Sequence, residues 1–166
     1  MTDPIPFANL AAQRRRLGSK INDAIDRVIA HGRFILGPEV AELEQRLATF
    51  VGAGHCIACA NGTDALALAL MAWGGKPGDA VFVPAFTFVA TAEAVAWLGA
   101  TPVFVDVRAD TFNIDVGGLE DAIADARERG LRPLAVIAVD LFGQPANYSL
   151  LNSVAERHGM FVLADA

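Results

Sequence analysis

The feature that most constrains the fold is an alternation of short apolar runs with longer stretches of helical pattern. Five runs are rich in apolar residues and bounded by Gly, Pro or Asp: "HCIACA" (55–60), "AVFVPA" (80–85), "TPVFVDV" (101–107), "PLAVIAVD" (133–140) and "MFVLADA" (160–166). Such runs predict strands, and the stretch before each is long enough for a helix. Apolar strands that alternate with helices are typical of a mostly parallel sheet covered on both faces. We therefore predict an α/β fold of three layers.

The amino-terminal region shows helical periodicity instead. Apolar residues recur at helical spacing from Leu17, which predicts one helix from about residue 9 to His31, with Gly32 as its stop. Pro38 is well placed as the first residue of a second helix, over 38–52. The chain should therefore open with two helices.

The composition places the chain among globular proteins with much apolar surface to bury. Of its 166 residues, 54% are hydrophobic, and the mean hydropathy is +0.39. A chain of this length is expected to form one domain. The surplus of apolar residues predicts a partner chain or a further part of the protein.

The charge pattern argues against nucleic acid as a partner. The net charge is -6 and the isoelectric point is near 4.9, whereas phosphate contacts need clustered Lys and Arg. The one basic cluster, Arg14 to Arg16, lies in a helical pattern and fans out around the helix. We interpret it as a solvated face, with steering of anionic ligands as the alternative.

Membrane insertion, secretion and metal binding are not expected. Glu93 interrupts the richest apolar region, and the first ten residues have neither a basic flank nor an apolar core, so we expect a cytoplasmic protein. Cys56 and Cys59 lie in a predicted strand, where residues three apart point to opposite faces. We therefore expect both thiols to be buried in packing and predict no metal site.

In a protein with a parallel sheet, the functional site is expected at the carboxyl ends of the strands. After the first predicted strand, Asn61, Gly62, Thr63 and Asp64 lead into an apolar helix. Small residues and outward-pointing N–H groups at a helix start suit a phosphate. Simple N-capping by Asn61 or Thr63 explains the same residues equally well.

Aromatic and acidic residues follow two further strands. Phe86 and Phe88 share a face if both are extended, and an aromatic side chain there can stack on a planar ring, although core packing is the default for Phe. Asp165 stands at the tip of the last strand. If that strand is central, the carboxylate needs a cationic partner, such as a protonated pyridine nitrogen. Its alternative role is the N-cap of a following helix.

Taken together, these motifs resemble a known family. The order "FILGPEVAELEQRLATFVGAGHCIACANGTDALALAL", "PAFTFVATAEAVAWLGATPVFVDV", "FGQ" and "VLADA" is similar to the DegT/StrS family of PLP-dependent sugar-nucleotide aminotransferases, from about Phe7 to the last residue. The resemblance implies the large domain of fold-type I PLP enzymes, with pyridoxal 5'-phosphate (PLP) as cofactor. The small carboxyl-terminal domain of the family has no counterpart in 1–166, so this range is expected to be an incomplete PLP-binding domain.

The resemblance also implies roles for individual residues. Gly62 and Thr63, with Asp64 adjacent, fall where the family holds the cofactor phosphate. Phe88 falls where an aromatic ring stacks on the pyridine, and Asp165 where a carboxylate pairs with the ring nitrogen. The Schiff-base lysine of the family lies beyond that aspartate and is not in this chain, because its only lysines are Lys20 and Lys76.

The activity implied is transamination of a keto sugar linked to a nucleotide, with glutamate as the expected amino donor, in amino-sugar or surface-polysaccharide biosynthesis. Family members are homodimers, so a homodimer is expected here. Two alternatives stay open: a PLP-dependent sugar dehydratase, in which histidine replaces the lysine, and a truncated binding module without catalysis.

Overall fold

The computed structural model describes residues 6–166, and the chain divides into two compact units, 1–58 and 59–166. The described part of the amino-terminal unit contains three helices, α1 (Leu10–Leu17), α2 (Lys20–His31) and α3 (Pro38–Val51). Pro38 occupies the first turn of α3, as its missing N–H group and fixed φ favour. None of the three helices contains a fully buried residue.

The single helix predicted from about residue 9 to His31 is wrong in one respect, because it is interrupted. Gly18 adopts φ 59° and ψ -134°, a conformation that glycine reaches without steric cost, and it separates α1 from α2. The predicted stop at Gly32 is confirmed, since this residue caps α2 in the left-handed region at φ 65°.

The second unit alternates helices and strands. Its elements are α4 (Gly62–Ala72), β1 (Asp79–Pro84), α5 (Ala90–Trp97), β2 (Thr101–Val105), α6 (Val116–Glu128), β3 (Arg132–Val139), a 3₁₀ turn (Leu141–Gly143), α7 (Tyr148–His158) and β4 (Phe161–Asp165). Four of the five predicted strands are therefore confirmed.

The four strands form one parallel sheet in the order β2-β1-β3-β4. In its register Phe82 of β1 lies beside Val103 of β2, and Val139 of β3 lies beside Asp165 of β4. Because all four strands are parallel, their carboxyl ends lie at the same end of the sheet.

Helices cover both faces of the sheet, which confirms the predicted three layers. Phe82 and Val136 belong to the core under α6 and α7. Their strand neighbours Val81 and Ile137 point the other way, into the core under α4 and α5. Alternation of side chains along fully buried strands accounts for the near-continuous apolar runs in the sequence.

The first predicted strand, 55–60, is wrong, because no segment of the described chain pairs with it. An apolar run can form a strand only where a neighbour accepts its backbone hydrogen bonds. The expected burial of both thiols also fails: Cys56 is half-buried and Cys59 is exposed. Within 6–166 no cluster of three or more potential metal ligands occurs.

No helix in residues 6–166 has the length and apolar character needed to span a bilayer. The longest, α3, has 14 residues, whereas a crossing takes roughly 20.

Candidate functional site

A cavity of about 420 Å³ lies at the carboxyl ends of β1, β3 and β4. Four of the five residues predicted to bind a cofactor line it: Gly62, Thr63, Phe88 and Asp165. The fifth, Asp64, does not line this cavity. Residues that are far apart in the sequence therefore converge on one space, as the topology of a parallel sheet requires.

The start of α4 forms one wall of the cavity. Asn61 is the N-cap residue, and its side-chain oxygen accepts a hydrogen bond from the Asp64 N–H at 2.9 Å. The Asn61 amide also donates to the Asp64 carboxylate at 3.1 Å, so this carboxylate supports the cap. Asn61, and not Thr63, is thus the cap. The N–H groups of Gly62 and Thr63 lie in the first turn of α4, so no carbonyl of the helix accepts a hydrogen bond from them.

Phe86 lies in a bend after β1, so the condition that both aromatic residues are extended fails. Phe88 follows this bend, shortly before α5. Phe88 is 75% exposed and lines the cavity, which argues against a core role. Phe86 instead packs against Phe112, with ring centroids 5.7 Å apart.

Asp165 is held at both its main chain and its side chain. The Asp140 N–H donates to the Asp165 carbonyl at 2.9 Å, and the Thr91 hydroxyl donates to its Oδ2 at 3.3 Å. Its strand β4 is at the edge of the four-stranded sheet, and the side chain is half-buried. The premise of a central strand is therefore wrong for the part of the chain that the structure describes.

A second carboxylate, that of Asp140, lines the same cavity. It accepts hydrogen bonds from the Ala146 N–H at 2.9 Å and from the Tyr148 hydroxyl at 2.7 Å. Burial, followed by the bond to Asp140, raises the pKa of Tyr148 far above its ordinary value. Tyr148 therefore stays a neutral donor and keeps Asp140 in place.

Sequence reasoning missed Thr87, Thr91 and Asp140 as cavity residues. Asp140 had a positional signal, because it directly follows a predicted strand. Thr91 follows a predicted strand too, but an isolated threonine at a helix start is an ordinary residue, and only the tertiary fold shows that it reaches Asp165.

Neither lysine is among the residues that line the cavity. Lys76 precedes β1 at its amino end, and its N–H donates to Asp79 at 3.0 Å. The cavity adjoins the carboxyl end of the same strand, roughly 17 Å away for a strand of this length. Lys20 belongs to α2 in the amino-terminal unit.

A larger cavity, of about 600 Å³, lies near the start of α6 and holds none of the predicted residues. Its charged lining residues are Arg108 and Asp115, and Arg108 is paired with Asp110 at 2.9 Å. Asn113 donates to the carbonyls of Gln144 and Pro145, both at 3.1 Å, and so ties two loops together. The smaller cavity is the better candidate for a functional site, because it combines helix-start donors, an aromatic side chain and two carboxylates.

The smaller cavity suits a ligand with three parts. Main-chain N–H groups at the start of α4 favour an anion such as a phosphate. Phe88 offers an aromatic surface for a planar ring. Asp165 offers a carboxylate to a protonated ring nitrogen. The residues present therefore fit a phosphorylated pyridine.

Comparison with known proteins gives this site a context. Residues 15–166 match the DegT/DnrJ/EryC1/StrS aminotransferase family. The chain belongs to this family. A UDP-2-acetamido-2-deoxy-3-oxo-D-glucuronate aminotransferase from Pseudomonas aeruginosa is 51% identical over 162 residues, which are 98% of this chain and 44% of that protein.

Solved structures of similar proteins share the fold. An aminotransferase of the same family from Brucella abortus superposes with a TM-score of 0.95 at 54% identity, over 98% of this chain and 44% of its own. NtdA from Bacillus subtilis, with bound cofactor PMP, superposes with a TM-score of 0.85 at 30% identity, over 100% of this chain and 37% of its own. The predicted fold class is thereby confirmed. The chain spans less than half the length of these relatives.

Proposed function

We propose that the protein that carries this chain transfers an amino group to a keto sugar linked to a nucleotide, with PLP as cofactor and glutamate as donor. The observation that carries the proposal is the convergence of Gly62, Thr63, Phe88 and Asp165 on one cavity in a family of aminotransferases. The P. aeruginosa relative is named for a 3-oxo sugar linked to UDP. A UDP-linked 3-keto sugar is therefore the first substrate to test.

In this proposal each predicted residue has one task. Gly62 and Thr63 bind the cofactor phosphate with N–H groups and a hydroxyl, and Asp64 acts beside them by holding the Asn61 cap. Phe88 stacks on the pyridine ring. Asp165 pairs with the ring nitrogen and keeps it protonated.

PLP, when bound, supplies an electron-accepting ring that stabilises the negative charge left when a carbon loses its proton. The protein determines how well the ring does this. A carboxylate at the ring nitrogen, as proposed for Asp165, favours the charged ring.

The reaction also needs a lysine that binds the cofactor covalently and moves the proton. We propose that a segment beyond Ala166 supplies it, and that 1–166 is the first part of the PLP-binding domain. The relatives are more than twice as long as the matched region. The dehydratase and binding-module alternatives are not favoured, because the relatives from P. aeruginosa and Brucella abortus are named aminotransferases.

We also propose a homodimer. α2 and α3 carry apolar side chains that are exposed in this chain, among them Ile25, Ile29, Leu43 and Leu47. A second copy would bury such faces. Localisation in the cytoplasm stays a prediction from the sequence.

The proposed function is tested by a coupled transfer assay on the full-length protein. Incubation with glutamate and a UDP-linked 3-keto sugar should yield 2-oxoglutarate and a UDP-amino sugar, detected by mass spectrometry. The matched control is the same sugar nucleotide with a hydroxyl at carbon 3, which has no group to aminate. Absence of product with the keto sugar, in protein shown to bind PLP, would contradict the proposed substrate class.

A further inference from the structure

Two threonine hydroxyls form a line that ends at the carboxylate of Asp165. Thr87 Oγ1 lies 3.2 Å from Thr91 Oγ1, and Thr91 Oγ1 lies 3.3 Å from Asp165 Oδ2. All three residues line the cavity assigned to the cofactor. The line joins the turn after β1 and the start of α5 to the tip of β4.

The direction of the two hydrogen bonds follows from the number of protons. A hydroxyl carries one hydrogen, and an ionised carboxylate can only accept. Thr91 must therefore donate to Asp165, which leaves its oxygen free to accept from Thr87. Bonds arranged in series polarise one another, so donation from Thr87 strengthens donation from Thr91.

The burial of Thr91 shows that its hydroxyl is not there for packing. The residue is 1% exposed, and a valine of nearly the same shape would fill the space without a polar group to satisfy. Burial of a hydroxyl is unfavourable unless it is hydrogen-bonded. Its partners among the described residues are Thr87 and Asp165.

The Thr91 bond leaves one side of the carboxylate available. Oδ2 of Asp165 is occupied, and within residues 6–166 no protein group donates to Oδ1. The Asp140 N–H fixes the main chain of Asp165 but not its side chain. Thr91 is thus the described protein group that sets the side-chain orientation.

We propose that Thr91, supported by Thr87, is a positioning residue that orients Asp165 toward the ring nitrogen of the cofactor and so sustains protonation of that nitrogen. This inference rests on the proposed function. In this role Thr91 influences the chemistry of the cofactor without contacting the reacting carbon.

The test uses full-length protein loaded with PLP that is ¹⁵N-labelled at the ring nitrogen. The ¹⁵N chemical shift reports protonation of the nitrogen directly, and kcat and KM are measured in parallel. Thr91→Val removes the hydroxyl and keeps the shape, Thr91→Ser restores a hydroxyl, and Thr101→Val is the matched control. Thr101 opens β2 at the other edge of the sheet, and no side-chain hydrogen bond is found for it in the described chain.

We expect Thr91→Val to move the ¹⁵N shift toward the neutral ring and to lower kcat about tenfold or more, as for loss of a hydrogen bond to a charged group. KM should change less than kcat, Thr91→Ser should recover most of both signals, and Thr101→Val should match wild type. If Thr91→Val does not fold, Thr87→Val takes its place, with a smaller change in the same direction.

A Thr91→Val protein with the wild-type ¹⁵N shift and kcat would overturn the inference and leave the proposed function standing. So would a Thr91→Ser protein as impaired as Thr91→Val, or an unchanged Thr87→Val protein. A wild-type protein that binds no PLP would overturn the inference and the proposed function together.

Discussion

At the residue scale, the proposed chemistry depends most on Asp165. Replacement by Asn keeps the size of the side chain but removes the charge that holds a proton on the ring nitrogen. We expect Asp165→Asn to lower kcat of the full-length protein by roughly 100-fold or more. Asp121→Asn is the matched control, because Asp121 is exposed on α6. Turnover of Asp165→Asn near the wild-type rate would contradict the pairing.

A second residue-scale prediction concerns the proposed phosphate site. Thr63→Ala removes a hydroxyl from the start of α4 and should weaken PLP binding by roughly 1–2 kcal/mol, or about 5- to 30-fold in Kd. Fluorescence titration of the apoprotein with PLP measures this change. Thr101→Ala, away from the cavity, should leave Kd unchanged, and an equal Kd for Thr63→Ala and wild type would count against the site.

Some residues of the site could be predicted from the sequence, and others could not. Gly62, Thr63, Phe88 and Asp165 each follow a predicted strand or open a helix, so the sheet rule alone brings them together. The sheet rule brings Thr91 to the same end of the sheet as Asp165. No local pattern, however, specifies the individual hydrogen bond between their side chains.

At the element scale, an ion pair joins the amino ends of β1 and β3. Arg132 donates to both carboxylate oxygens of Asp79, at 2.6 and 2.8 Å, and Asp79 is 1% exposed. Arg132→Met leaves the buried carboxylate with the Lys76 N–H as its donor and should cost about 1–3 kcal/mol in the free energy of unfolding. Arg129→Met is the control, because its pair with Asp125 is exposed and should contribute under about 1 kcal/mol. Urea denaturation at pH 7 compares the variants, and equal losses for both would contradict the role of this pair.

The same pair gives the stability a pH dependence. The hydrogen bond from Arg132 lowers the pKa of Asp79 in the folded state. Its stabilisation is therefore complete above the unfolded pKa of about 3.9 and is lost as the pH falls through the lower, folded value. The difference in unfolding free energy between wild type and Arg132→Met should be constant from pH 7 to 5 and shrink below about pH 4. A difference that grows on acidification would contradict this assignment.

Two secondary-structure elements differ from those predicted from the sequence. The four confirmed strands have neighbours within the sheet, whereas the apolar run at 55–60 has none among the described residues. The composition of a segment indicates that it can form a strand, but it forms one only where a neighbouring strand is available to pair with it. The interruption at Gly18 was readable only as a weak signal, since a glycine within a helical pattern is often tolerated.

At the scale of the whole molecule, the exposed apolar faces of α2 and α3 are the basis for the proposed homodimer. Leu47 of α3 is 42% exposed. In the full-length protein, Leu47→Glu should shift the population toward monomer in sedimentation analysis, because a charge would be buried without a partner. Gln45→Glu adds the same charge at an exposed polar position of α3 and should leave the wild-type dimer intact. A monomeric wild type would contradict the proposal.

We propose that the cavity at the carboxyl ends of β1, β3 and β4 binds PLP in a longer, lysine-dependent enzyme. Intact mass spectrometry of the protein from its native source, after borohydride reduction to trap a Schiff base, tests this proposal. We expect a mass well above the 17.5 kDa of this chain, with a reduced PLP adduct. A mass of 17.5 kDa without an adduct would contradict it and favour a binding module.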